Sequence, residues 1–202
     1  MKKSLQSPSN KVFNIILLGD PASGKGTQSE RLAKEYDLYD LDMGREIRKP
    51  ASQRKFDYKN TTARGKLTPT AVVRDIFTDV IAKVPAQQGI LFNGTPKMIN
   101  EARLVKKLLT QHKRTDPIVI YISIPTKEII ERMEKRTEFV NGKLVRRDDD
   151  TIQALKNRRK YYKDQVSKVV IFFKKNYTLK TVSGMGTERE VSKRIEAIIK
   201  KI

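Results

Sequence analysis

The chain has 202 residues, and its complete lack of cysteine excludes disulfides and thiolate metal sites. Nothing resembles an apolar leader at the start and no run of about 18 apolar residues follows, so neither secretion nor a membrane span is expected and the cytoplasm is the expected compartment. Lys and Arg number 43 against 23 Asp and Glu, and the resulting +20 charge would attract nucleotides and nucleic acids alike; but the basic residues are spread along the chain with no aromatic-rich basic motif, so a lysine-rich solvated surface is favoured over nucleic-acid binding.

In chain order, residues 1–11 are polar, with Ser, Pro and Asn, and read as a loose arm. Four β-rich runs cover residues 12–19, 89–94, 117–124 and 177–184, and a short fifth covers 38–41. Between them, helical spacing marks residues 29–36, 101–112 and 126–136. The last of these opens on Thr126 as a cap and turns Ile129, Ile130 and Met133 inward. At the end of the chain Val191, Ile195, Ile198, Ile199 and Ile202 share one helical face. Strand alternating with helix implies right-handed crossovers and a parallel sheet covered on both sides, an α/β fold of three layers. With no internal repeat and no linker, residues 12–202 are expected to form one domain. His112, the only histidine, closes a polar helix and reads as solvated or as a C-terminal cap. Pro50 should shorten the helix before it.

The first strand runs into Gly19-Asp20-Pro21-Ala22-Ser23-Gly24-Lys25-Gly26-Thr27, the G-x-x-x-x-G-K-x-T pattern of a P-loop. The chemistry explains the spacing. Glycines let successive N–H groups turn inward around an anion, and the following helix aims its positive end at the same point. Lys25 can reach the β and γ phosphates, and the Thr27 hydroxyl suits Mg²⁺. Such a loop establishes a nucleotide phosphate site but does not identify the acceptor.

Extended to Gly26-Thr27-Gln28 and taken with Pro21, the loop resembles that of the adenylate kinase family, with Ala22 in place of a glycine. The resemblance runs from about Val12 to the C-terminus. It implies a P-loop NTPase fold with a five-stranded parallel sheet, a monophosphate-binding flap near 42–70 and a short lid near 136–150. It also implies a monomer that binds ATP, a nucleoside monophosphate and Mg²⁺. Residues 41–48 (LDMGREIR) stand where the family has a Ser-Thr-Gly-Asp stretch ending in Arg. Arg48 keeps the position that holds the acceptor phosphate, whereas Asp42, Met43 and Arg45 depart from the pattern. Gly65-Lys66-Leu67-Thr68-Pro69 is similar to the turn whose backbone lines the acceptor base, which places Lys66, Leu67 and Thr68 beside Met43.

Asn93-Gly94-Thr95-Pro96-Lys97 stands where the family has Asp-Gly-Phe-Pro-Arg. By the resemblance, Asn93 is an indirect Mg²⁺ contact, Gly94 lines the acceptor site, and Lys97 keeps the clamp's charge without its planar fork. Arg132 and Arg136, four apart on one helix, resemble the pair over the adenine and phosphates of ATP. Arg147, Asp149, Asp150, Arg158 and Tyr162 fall in register with the family, and Gly186 belongs to the implied ATP site. Lys25, Arg136, Arg147 and Arg158 would then surround the phosphoryl group in flight, with Arg147 and Arg158 also touching the acceptor. Between Arg136 and Arg147, two β-prone runs flank Asn141-Gly142, the signature of a type I′ hairpin, so the lid is short and cannot be the zinc-bearing kind.

Glu101 occupies the position of a family glutamine that reads adenine. An ionised carboxylate only accepts hydrogen bonds, which opens GMP as an alternative acceptor to AMP. The bland alternative is a helix cap. Two further readings remain open: an ATP-binding protein without kinase activity, motivated by Arg45, Asn93 and Lys97, and a nucleic-acid binder drawing on the net charge.

Overall fold

The computed structural model describes residues 12–50, 55–134, 137–140, 143–146, 157, 160 and 162–201. Among these, five strands form one parallel sheet: β1 (Asn14–Gly19), β2 (Tyr39–Asp42), β3 (Ile90–Asn93), β4 (Pro117–Ser123) and a last strand, β7 (Leu179–Ser183), in the order β2-β3-β1-β4-β7. The sheet is parallel throughout, with Ile16 paired to Phe92 on one side and to Val119 on the other. The helices are α1 (Lys25–Glu35), α2 (Met43–Arg48), α3 (Thr70–Lys83), α4 (Ile99–Gln111), α5 (Thr126–Glu134), α6 (Ser167–Asn176) and α7 (Glu188–Ile199). Among the described residues a 3-10 turn spans Thr62–Arg64, and a π-helical turn, Tyr162–Val166, leads into α6.

Alternation along the central strands sorts the core into two layers. Ile15, Leu17 and Leu91 face Leu32 of α1 and Val191, Ile195 and Ile199 of α7. Ile16, Leu18 and Phe92 face the opposite way, onto Phe77 of α3, Val105 of α4 and Phe173 of α6. A strand buried on both faces carries a continuous apolar run, as Ile15-Ile16-Leu17-Leu18 does. Phe92, fully buried and 6.2 Å centroid to centroid from Phe77, would cost about 3–5 kcal/mol if cut to alanine.

The strands lie where their apolar runs place them, trimmed by a residue or two. Helix α2 ends at Arg48, and Lys49 turns extended (φ −61°, ψ 138°) as a residue before proline must. His112 caps the C-terminus of α4 and is exposed. On the last helix Val191, Ile195 and Ile199 are buried and Ile198 is partly so, while Ile202 lies outside the described residues.

One expectation is corrected. Ile129 and Met133 are buried, but Ile130 is 42% exposed, because its position next to Ile129 swings it about 100° round the helix and off the sheet. Helices α3 and α6 were not anticipated, although Val73, Phe77, Val80 and Ile81 carry helical spacing. The expected hairpin is present as β5 (Thr137–Val140) and β6 (Lys143–Arg146), antiparallel with Val140 opposite Lys143; Asn141 and Gly142 themselves lie outside the described residues.

Candidate active site

The C-terminal ends of β1, β2 and β3 open onto one cavity of about 450 Å³, a volume within the range of small-molecule sites. Its phosphate end is the loop between β1 and α1. Gly24 adopts φ +88° as it starts the helix, a conformation that costs glycine nothing and places the helix's N–H groups toward the cavity. Ala22 is also left-handed, at φ +57°. Its methyl packs on the small cluster of Ile124, Ile129 and Met133. Lys25 Nζ donates to the carbonyls of Gly19 (2.9 Å) and Asp20 (2.7 Å), which holds the ammonium group inside its own loop.

Carboxylates tie this loop and its helix to the sheet. Ser29 Oγ donates to Asp40 Oδ1 at 2.6 Å, and Arg45 pairs with Asp40 Oδ2 at 3.5 Å. Burial pushes the Asp40 carboxyl up, against the hydrogen bonds of Ser29 and Asn93 and the charge of Arg45, which pull it down. Asp20 accepts from Tyr121 and from the N–H of Ile124.

Besides the loop, α2, the turn 65–68 and the turn after β3 line the cavity, and Gly94 comes up against the Lys25 side chain. Asp42 N-caps α2 by accepting from Arg45 N at 2.9 Å. The turn after β3 contains a cis Thr95–Pro96 bond and leads into α4, where Glu101 Oε2 accepts from the N–H groups of Lys97 (2.8 Å) and Met98 (3.2 Å). Glu101 is 3% exposed, and burial raises its carboxyl above the ordinary range although those two N–H donors and the charge of Lys97 oppose the rise. It therefore caps a helix and lines the cavity at once.

The cavity gathers the sequence-predicted residues. Ala22, Ser23, Gly24, Lys25, Gly26, Thr27 and Arg132 line it, as do Met43, Arg48, Lys66, Leu67, Thr68, Asn93, Gly94, Lys97 and Glu101. Arg132 on α5 is held by Glu128 and by the Gly184 carbonyl at 3.1 Å. Gly186 is not part of the lining; it sits at φ +94° in the turn before α7, against Glu190. Arg136, Arg147, Asp149, Asp150 and Arg158 lie outside the described residues, as does the side chain of Tyr162. Asp42, which lines the cavity, and the Tyr121 hydrogen bond that braces Asp20 of the loop were missed by sequence reasoning, because the register of the sheet sets Asp42 beside Asn93 and Tyr121 beside the end of β1.

A family model described as adenylate kinase matches residues 17–178, which contain the phosphate loop and every described lining residue of the cavity. The chain belongs to the adenylate kinase family. It is 34% identical to an adenylate kinase of Azobacteroides pseudotrichonymphae over 95% of this chain and 97% of that protein. An adenylate kinase of Porphyromonas gingivalis is 31% identical over 94% of this chain and 97% of its own length. One of Methanothrix thermoacetophila is 26% identical over 94% and 99%. Membership makes the chain a phosphotransferase of the nucleoside monophosphate kinase type. No helix among the described residues is long and apolar enough to cross a membrane.

Mg²⁺ is the metal that family members use with ATP, and the residues at the phosphate end fit it. The Thr27 hydroxyl, the Asn93 amide and the Asp42 carboxylate all border the same space. No group of three His, Cys, Asp or Glu side chains among the described residues could hold a metal alone. Mg²⁺ is usually carried by substrate phosphates and water with one or two protein oxygens.

Proposed function

We propose that the chain transfers the γ-phosphoryl group of ATP to AMP. The carrying observation is that one cavity is lined at one end by the phosphate loop and at the other by Met43, Arg48, Leu67, Thr68 and Lys97. Phosphoryl transfer needs donor and acceptor aligned and the moving charge neutralised, with little covalent work by the protein. The loop N–H groups and Lys25 would hold the donor phosphates, and Arg132 would cover the adenine. Arg48 and Lys97 would hold the acceptor phosphate, and the turn 65–68 its base. Thr27 and Asn93 would hold the Mg²⁺ that accompanies ATP, and it would supply neutralisation of charge on the donor phosphates. By family register Arg136, Arg147 and Arg158 would add to these cations. Two flaps, 42–70 and 136–150, would exclude water, so that ATP is not hydrolysed in place of transfer. The unit is one domain over residues 12–202, cytoplasmic and monomeric, serving nucleotide biosynthesis, with neither nucleic acid nor zinc as a partner.

Glu101 favours AMP over GMP. A bidentate grip on guanine needs both carboxylate oxygens, and Oε2 already accepts two backbone N–H groups. Burial moreover favours the protonated acid, and with Oε2 engaged the remaining Oε1–H would donate one hydrogen bond, which suits adenine N1 and not the N1–H and N2–H donors of guanine. The test is a coupled assay of ADP formation from ATP and Mg²⁺ with AMP, GMP, CMP and UMP in turn. The highest kcat/KM is expected with AMP. Turnover with GMP alone would sink the AMP reading, and none with any acceptor would leave an ATP-binding protein without transfer.

A further inference from the structure

The cavity is strongly cationic at its described wall: Lys25, Arg48, Lys66, Lys97 and Arg132 face it, and its carboxylates are Asp42 and Glu101. Such a wall binds phosphates well but offers a divalent cation little, and the cation needs an anionic oxygen near the phosphate end. Glu101 is on the far side, in the first turn of α4, with Oε2 committed to the helix cap. Asn93, at the tip of β3, is neutral, and its side chain hydrogen-bonds Asp40.

Asp42 is differently placed. It is the register partner of Asn93 across the β2–β3 ladder, so the two Cα atoms are neighbours across adjacent strands, about 4.8 Å apart, and their side chains leave the same face of the sheet. That face is the one covered by α1, since Leu91, two residues before Asn93, packs in the layer of Leu32. Asp42 Oδ1 accepts from Arg45 N, whereas Oδ2 carries no hydrogen bond among the described residues. Of the neighbouring charges, Arg45 lies against Asp40, which also takes Ser29, while the Arg48 guanidinium comes to Gly44 on the Oδ1 side of Asp42.

We propose that Asp42 is a positioning residue for the metal, its carboxylate holding the water shell of the Mg²⁺ that accompanies the nucleotide, in place of the charge that Asn93 lacks. The charge has in effect moved one strand across the sheet. This rests on the ATP-binding reading above. Removing an outer-shell carboxylate weakens a metal site about 10-fold or more.

The test is calorimetric titration of a non-hydrolysable ATP analogue, once with Mg²⁺ and once with EDTA, into wild type, Asp42→Asn, and Asp42→Asn combined with Asn93→Asp. Asparagine keeps the oxygen that caps α2, so the first variant alters charge and little else. Wild type should bind more tightly with Mg²⁺. Asp42→Asn should lose about tenfold of that Mg²⁺ gain, while binding in EDTA holds or tightens because a negative charge has left the phosphate site. The double variant should recover the gain. A wild-type-sized gain in Asp42→Asn, an equal loss in both arms, or a double variant no better than the single one overturns the assignment. Wild type that binds no analogue in either arm defeats the kinase reading and this assignment together; wild type that binds the analogue equally well with Mg²⁺ and with EDTA defeats only the assignment.

Discussion

The hydroxyl of Tyr121 donates to Asp20 Oδ1 at 2.6 Å, joining the middle of β4 to the second residue of the phosphate loop across 101 positions of chain. The other oxygen, Oδ2, accepts from Ile124 N at 2.9 Å, and the Asp20 carbonyl receives Lys25 Nζ. One carboxylate thus fixes the backbone that holds the Lys25 ammonium group, and it turns its own charge toward β4.

Tyr121→Phe should therefore cost about 1–2 kcal/mol of stability, as expected for a hydrogen bond to a charged acceptor, and should raise KM for ATP more than it lowers kcat. Burial, with Asp20 beside it, pushes the Tyr121 phenol upward from its ordinary value. A raised phenol contributes stability that is fully present below the unfolded value, near 10, and is lost as pH rises through the folded one. Urea denaturation at pH 8 and pH 11 should show wild type losing more stability across that step than Tyr121→Phe. Equal losses would mean that the phenol is not held by the loop.

Ala22 sits at φ +57°, which strains an L-residue by about 1–2 kcal/mol. Ala22→Gly relieves that strain, but it surrenders a methyl packed on Ile124, Ile129 and Met133 and adds glycine's unfolded-state entropy, each worth about 0.5–1 kcal/mol. The terms nearly cancel, so the variant should melt within about 0.5 kcal/mol of wild type. A gain beyond about 1 kcal/mol would show that the methyl contributes nothing.

How much of this was legible depends on how local the signal is. The glycine-rich loop, the buried strands and the β5–β6 hairpin are written in short windows, and each formed where its pattern lies. Helix α3 was passed over because its start offers no cap: Pro69 precedes it without a side-chain hydrogen bond, and only its apolar spacing marks it. Ile130 was placed inward because adjacent apolar residues on a helix look alike in sequence, and only one of Ile129 and Ile130 can face the sheet. The Tyr121–Asp20 bond and the Asp42–Asn93 register depend on which strands are neighbours, and no local window contains that.

Lys25→Met should leave the fold intact, since the ammonium's partners are loop carbonyls and Ser23 rather than core groups. Turnover should fall by about 10²–10³, the loss typical when one preorganised donor to developing charge is removed. Circular dichroism alongside the coupled assay separates the two effects. Residual turnover within tenfold of wild type would mean that the loop N–H groups and arginines carry the charge without it.

Glu101 gives a prediction in which stability and specificity move together. Its raised carboxyl means that the fold prefers the protonated form, so its contribution is complete below the unfolded value, near 4.3, and diminishes as pH rises through the folded value. Glu101→Gln keeps an oxygen for the N–H groups of Lys97 and Met98 and removes the ionisation. The variant should be more stable than wild type at pH 8, and the difference should close as pH falls toward 4. The amide nitrogen offers adenine N1 a donor at every pH, so kcat/KM for AMP should rise several-fold and lose the part of its pH dependence that the carboxyl supplies. If denaturation curves of the two proteins keep a constant separation from pH 4 to pH 8, the buried carboxyl is not the group that titrates. If AMP turnover is unchanged, Glu101 serves α4 alone and does not read the base.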